Sequence, residues 1–318
     1  MDKLAIGVDI GGTNTVFGFV NKEGEILYQN SIKTQTHEKV EDFIKELVSE
    51  IDKEKAKFEK EYEIIGMGVG APNSNFYTGT IEDAANLRWK GKIEFTKIFS
   101  RHYKFPMFLT NDANAAAIGE MVFGGAKGMK NFIVVTLGTG LGSGIVVNGE
   151  LLYGHDGFAG ELGHVVVKTK GRKCGCGRKG CLETYVSATG VVRTVYELLA
   201  SSNVASDLRD IPFNKLDAKS VFEAASLGDE IAIETFKLTG KKLGIALADV
   251  IAITSPEAIF LFGGLARAGK ILFNQVNSYM EKSVMNTFKN KVTILPSGIT
   301  DNAAVLGAAA MAWKETEK

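Results

Sequence analysis

At 318 residues the chain is too long for one ordinary small core and short for three domains, so its length suggests two lobes with a ligand cleft between them. Lys plus Arg and Asp plus Glu are both 37, and no Lys/Arg-rich block is present, which leaves no electrostatic footprint for nucleic acid. The opening MDKLAIGVDIGGT lacks the cationic and apolar regions of a secretion signal, and no apolar run approaches the roughly 20 residues of a membrane span, so a cytoplasmic protein without membrane or nucleic-acid partners is expected.

Residues 4–10, 15–20 and 25–31 read as three short strands joined by glycine-containing turns, an antiparallel meander. Val40, Phe43, Ile44, Leu47, Val48 and Ile51 then recur at the spacing of one helical face. Apolar runs at 64–70 and 107–110 have the character of buried parallel strands, the second leading through Asn111-Asp112 into a helix. Residues 132–137 and 143–147, with a glycine-rich turn between them, echo 4–20 and suggest two related lobes. Residues 148–183 show little periodicity and carry all three cysteines, as an insertion held by something other than a core would. Helical patterns follow at 184–200, 218–227 and 229–253, strands at 258–262 and 292–295, and a last helix at 301–313. The expected division is a small α/β lobe of residues 1–115 plus 301–318, and a large α/β lobe of 116–300 that contains the insertion.

Asp9-Ile10-Gly11-Gly12-Thr13-Asn14 puts an acid at a strand end and two side-chain-free residues in the turn, where backbone N–H groups can approach an anion and the acid can hold Mg²⁺ through water. One such turn could be an ordinary glycine hairpin. A second, Leu137-Gly138-Thr139-Gly140-Leu141-Gly142, makes a pair that can close on a polyphosphate, as phosphoryl transfer needs. Gly264 to Lys270 also matches the spacing of a P-loop, but Ile271 stands where a hydroxyl is required for Mg²⁺, so Gly263-Gly264 is read instead as a close approach to a nucleotide.

Asp112 at a strand end is the candidate general base for a sugar hydroxyl, against the structural alternative of a helix cap. Cys174, Cys176 and Cys181 with His164 make a Cys₃His set, the composition of a closed structural zinc site, with His155 a less favoured replacement ligand. Glu161 and Glu183 flank that set and are placed to accept hydrogen bonds from sugar hydroxyls. Two carboxylates could also serve a glycosidase, which would leave the phosphate turns unexplained.

Together, DIGGT at 9–13, TNDANAAA at 110–117, LGTGLGSG at 137–144, GELGH at 160–164, CGCGRKGCLE at 174–183 and FGG at 262–264 resemble the ROK (repressor, open reading frame, kinase) family, over nearly the whole chain. The resemblance implies an actin-like, hexokinase-type two-lobed α/β fold of the ribonuclease H-like class and a homodimer that phosphorylates the 6-hydroxyl of a hexose with MgATP. It implies Asp112 as general base, with Asn111, Glu161, His164, Glu183 and, from the segment Ala85-Asn86-Leu87, Asn86 as sugar ligands. Asp9, Gly11, Gly12, Thr13, Gly138, Thr139 and Gly140 would surround the phosphates and magnesium, Gly263 and Gly264 would lie by the adenosine, and His164, Cys174, Cys176 and Cys181 would hold structural Zn²⁺. Glucose is the expected substrate, with N-acetylglucosamine, N-acetylmannosamine or fructose as alternatives and a non-enzymatic sugar sensor as another. Family repressors carry an additional N-terminal DNA-binding domain, and none is expected before Leu4. Gly70-Ala71-Pro72-Asn73 departs from the family pattern, which usually has Pro-Gly there, so sugar contacts from this loop are not carried over.

Overall fold

The computed structural model describes residues 1–299 and 302–317. The first part of the chain contains β1 (Asp2–Ile10), β2 (Asn14–Val20), β3 (Ile26–Lys33), α1 (Val40–Phe58), β4 (Tyr62–Gly70), β5 (Ser74–Asn75), β6 (Thr80–Glu82), β7 (Lys92–Ile93), α2 (Phe95–Phe99), β8 (Met107–Thr110) and α3 (Asp112–Val122). There follow β9 (Phe132–Leu137), β10 (Leu141–Val147), β11 (Glu150–Leu151), α4 (Ala188–Ser201), α5 (Ala218–Ser226), α6 (Glu230–Thr254), β12 (Ala258–Phe262), α7 (Lys270–Ser283), β13 (Thr293–Pro296) and α8 (Ala303–Thr316). The chain forms two compact units, one of residues 1–129, 151–159 and 297–318, the other of 130–150 and 160–296.

In the first unit the sheet order is β3-β2-β1-β4-β8, with β1 antiparallel to β2 and parallel to β4. In the second it is β11-β10-β9-β12-β13, with β9 antiparallel to β10 and parallel to β12. Each sheet is thus a meander extended by two parallel strands, the echo expected from the sequence.

β1 is apolar on both faces because both are covered. Leu4, Ile6, Val8 and Ile10 share a core with Phe43, Ile44, Leu47 and Ile51 of α1. The opposite face carries Ala5 and Gly7 and receives α8: a Cβ on Gly7 would lie 2.1 Å from Val305 O, and one on Gly68 of β4 1.8 Å from Ala308 O. The alanine-rich helix therefore lies directly on the sheet backbone. α3 packs on α8 with similar closeness, a Cβ on Gly307 falling 2.4 Å from Ala115 O.

That packing places all of α3 in the first unit, so a division at 115/116 would cut a helix. Asp301, the expected start of the last helix, lies outside the described residues. The helix expected at 184–200 instead opens as a 3-10 turn, Leu182–Thr184, and α4 begins after Ser187, whose Oγ accepts the Gly190 N–H. α7 and the small sheet β5-β6-β7 were not expected from the sequence. α7 buries Leu272, Val276 and Met280, and α6 meets it at Gly240 and Gly244, where a Cβ would lie 2.4 Å from Gln275 Cβ and 2.6 Å from Val276 O. Among the described residues no helix is long and apolar enough to cross a membrane.

Candidate active site and metal centre

Three parallel strands of the first unit end side by side. Asp9 on β1 pairs with Gly70 on β4, and Gly70 pairs with Thr110 on β8, so the carboxyl ends of the strands deliver Asp9, Gly70 and the Asn111-Asp112 step to one place. Ligands of open α/β sheets bind at such ends. Asn111 is the cap of α3, its Oδ1 accepting the Asn114 N–H at 2.7 Å, and Asp112 is the first helical residue, its Oδ1 accepting the Ala113 N–H at 3.0 Å. The helix start fixes the carboxylate while its remaining lone pairs stay available. Gly70 leaves the ground between the two acids clear: a Cβ there would lie 3.8 Å from Asp9 Oδ1 and 3.9 Å from Asp112 Cα.

Burial, and then the charge of Asp112, raise the Asp9 carboxyl to about 6. Asp112 keeps solvent access, yet protein surrounds it closely enough that lost hydration also raises its carboxyl; backbone N–H donors oppose that shift without reversing it. Two acids with raised values at one strand edge suit a proton acceptor beside a cation site.

The first glycine turn is closed by the Gly11 N–H donating to Asn14 O at 3.0 Å. Its glycines are needed for space: a Cβ on Gly11 would sit 2.9 Å from Asn14 O, and one on Gly12 3.0 Å from Asn86 O. Gln35 Nε2 donates to Gly12 O at 2.6 Å, and the Thr34 N–H donates to Thr13 O at 3.0 Å, bracing the turn. Asn86 is therefore placed beside Gly12, with its side chain exposed. Asn73 adopts φ +50°, a left-handed conformation that Asn tolerates better than most residues other than Gly.

In the second unit, β9 ends at Leu137 and its neighbour β12 at Phe262, so the turn at Gly138-Thr139-Gly140 and the Gly263-Gly264 pair emerge together. Gly263 has φ +101°, and a Cβ on it would strike Leu137 O at 2.7 Å. The Ala188 N–H donates to Gly138 O at 2.9 Å, and Thr189 Oγ1 donates to Thr139 O at 3.0 Å, tying the turn to the start of α4. A cavity of about 760 Å³ lies elsewhere, in the first unit around Tyr62 and Trp313, and carries none of these residues. The cavity that does, of about 500 Å³, is lined by Gly138, Gly264, Leu265, Phe222, Lys219 and Arg267 among others, apolar walls with a few charged residues, as small-molecule sites have. Phe222 and Lys219 carry no local motif, and only the packing of α5 beside the 3-10 turn Gly264–Ala268, which itself carries Arg267, brings them to the glycines. That turn precedes α7, so the segment resembling a P-loop is a short 3-10 turn followed by a helix.

His164, Cys174, Cys176 and Cys181 converge, their ligand atoms all within 4.8 Å of one another. Cys176 Sγ lies 3.7 Å from Cys181 Sγ, and His164 Nδ1 3.7 Å from Cys174 Sγ. The edge of a tetrahedron with Zn–S near 2.3 Å is about 3.7 Å, so donor set and spacing fit a closed zinc site. Burial pushes the Cys176 thiol up, but hydrogen bonds from the Arg178 backbone and side chain and from the neighbouring cysteines outweigh it and bring it down to about 6. His155 falls in the segment grouped with the first unit and is not in this set.

The acids stand around the cluster. Glu161 Oε2 is 3.9 Å from His164 Nε2, while Nδ1 lies 3.7 Å from both Cys174 Sγ and Glu183 Oε1. Glu183 Oε1 accepts the Cys174 thiol at 2.9 Å, while a Cβ on Gly140 would lie 2.9 Å from Glu183 Oε2. Arg172, which sequence reasoning passed over, anchors the loop. Its guanidinium pairs with Glu197 at 2.7 Å, donates to Thr184 O at 2.6 Å and Gly190 O at 3.0 Å, and lies 4.5 Å over the Tyr185 ring.

The profile of the ROK family matches residues 5–315. A glucokinase of Thermotoga maritima is 35% identical, over 98% of this chain and 98% of its own. The crystal structure of a ROK family glucokinase from Streptomyces griseus, in complex with glucose and AMPPNP, superposes with a TM-score of 0.80 at 30% identity, covering 98% of this chain and 99% of that one. A putative xylose repressor of Caldicellulosiruptor sp. is 28% identical over 97% of this chain but only 77% of its own length.

Proposed function

This chain belongs to the ROK family, and from that premise we propose that it is an ATP-dependent glucose kinase that transfers the γ-phosphoryl group of ATP to the sugar 6-hydroxyl. The observation that carries the reading is Asp112, fixed at the first position of α3 with a raised carboxyl and Asp9 beside it. Asp112 takes the proton of the attacking hydroxyl, the new O–P bond forms, the bond to the β-phosphate oxygen breaks, and ADP leaves. Asn111, Glu161, His164 and Glu183 bind sugar hydroxyls, and Asn86, beside Gly12, is a further candidate. Asp9, Gly11, Gly12 and Thr13, and in the other unit Gly138, Thr139 and Gly140, are the candidates to receive the phosphates; Asp9 would hold Mg²⁺, which would supply neutralisation of phosphate charge. Gly263 and Gly264 border the adenosine in the cavity beside Phe222. His164, Cys174, Cys176 and Cys181 would hold zinc, which would fix the loop that carries the sugar-binding acids. The same resemblance supports a cytoplasmic homodimer, for which light scattering should give twice the chain mass.

A coupled ADP assay over glucose, mannose, fructose, N-acetylglucosamine and N-acetylmannosamine tests this. Glucose is expected to give the highest kcat/KM; preference for an N-acetylhexosamine would replace the substrate, and no ADP release from folded, zinc-loaded protein would favour the sensor reading that the repressor relative raises.

Gly140→Ala separates two reasons for the glycine. The added methyl would fall 2.9 Å from Glu183 Oε2, so the glucose KM is expected to rise about tenfold while the ATP KM changes less. A selective rise in the ATP KM would refute the placement.

A further inference from the structure

Residues 151–159 group with the first unit, although the chain on either side, 130–150 and 160–296, forms the second. Residues 75–77 contribute contacts that hold this strap. Tyr153 and Phe76 stack with centroids 4.2 Å apart and planes within 11°. Tyr77 Oη donates to Gly154 O at 3.1 Å, and Asn75 Nδ2 donates to Asp156 O at 2.6 Å. Asn75 is 2% exposed, and its Oδ1 accepts the N–H groups of Tyr77 and Thr78 at 3.0 and 3.2 Å, so the side chain is spent on bracing. Gly157, at φ +89°, lies so near that a Cβ would fall 2.6 Å from Asn75 Oδ1.

The strap contains no helix or strand after Leu151, so its order depends on this clasp. A single residue, Gly160 at φ +90°, separates its end from Glu161. On the far side Ser143 Oγ donates to Gly160 O and accepts the Leu162 N–H at 3.3 Å. Along the chain, Glu161 thus follows the clasped segment by one residue and is flanked by Gly160 and Leu162, which Ser143 of β10 holds. We propose that Asn75, Phe76 and Tyr153 are positioning residues for Glu161: they fix where the chain enters the run 160–164, and through it the affinity for sugar. The inference rests on the assignment of Glu161 as a sugar ligand made above.

Tyr153→Ala, Tyr153→Phe and Asn75→Ala in the full-length protein test it. Tyr153→Ala and Asn75→Ala are expected to raise the glucose KM about tenfold with kcat and the ATP KM within about twofold of wild type, and Tyr153→Phe, which keeps the stacked ring, to restore it. Hydrogen exchange without ligand should accelerate at residues 154–162 in the alanine variants and not in Tyr153→Phe. An unchanged glucose KM in Tyr153→Ala, in an enzyme that phosphorylates glucose normally, would overturn the positioning role alone. A wild-type protein inactive on every sugar would instead overturn the kinase reading, and unchanged exchange at 154–162 would overturn the clasp whatever the activity.

Discussion

Asp112→Asn is expected to lower kcat by about 10²–10⁴-fold while glucose still binds, because the amide keeps the size and one acceptor oxygen of the carboxylate but cannot take the hydroxyl proton. The helix start should survive, since Asn111 supplies the cap and the amide oxygen can still accept the Ala113 N–H. The stability change has a definite sign. A carboxyl raised in the folded state binds its proton more tightly there than in the unfolded chain, so its ionisation costs stability as pH rises toward the folded value. Asp112 has such a raised carboxyl, and its charge helps to raise that of Asp9 to about 6. Removing the charge should leave the melting temperature at neutral pH equal or higher, and should bring the Asp9 value down. Wild-type turnover should fall as pH drops through about 6, where Asp9 gains its proton, and the raised carboxyl of Asp112 acts in the same direction. Near-normal kcat in the variant would refute the assignment, and a large fall in melting temperature would trace the loss to folding.

Cys176→Ser is the second large effect: purified wild type should contain about one zinc per chain, and the variant should lose the metal together with about 10–100-fold in sugar affinity while ATP binding persists. Binding at a structural zinc site contributes directly to folding free energy, and residues 160–183 have only short pieces of secondary structure of their own, 3-10 turns at Leu162–His164 and Leu182–Thr184 and the isolated bridges Val166–Cys181 and Lys173–Lys179. Glu183 adds a specific reason. Its Oε1 lies 2.9 Å from Cys174 Sγ, so a proposed sugar-binding acid directly contacts a proposed zinc ligand and shares its position. His164 contributes likewise, with Nδ1 toward the cysteines and Nε2 left on the side of Glu161. Isothermal titration with glucose and with an ATP analogue, on zinc-loaded and chelator-stripped protein, checks both parts. Undiminished glucose affinity in metal-free protein would refute the coupling.

By itself the sequence determined what depends on neighbours along the chain. The six apolar residues of α1 repeat with the helical period, the two meanders alternate with glycine turns, and His164 with the three cysteines spans only 18 positions, so local spacing was enough to expose each of them. α7 left a weaker local trace, Leu272, Val276 and Met280 at intervals of four, and the glycines before it drew the reading toward a loop. Tertiary structure alone decided the rest. Asn75 meets Asp156 across 81 positions, Phe222 meets Gly138 in one cavity, and Glu183 lies over Gly140. The extent of α3 in the first unit follows from Gly307 meeting Ala115. Such contacts exist only once strands have paired and helices have packed, and the residues making them need suit no repeat in the sequence. Periodicity reports which face of an element is buried, not what it is buried against.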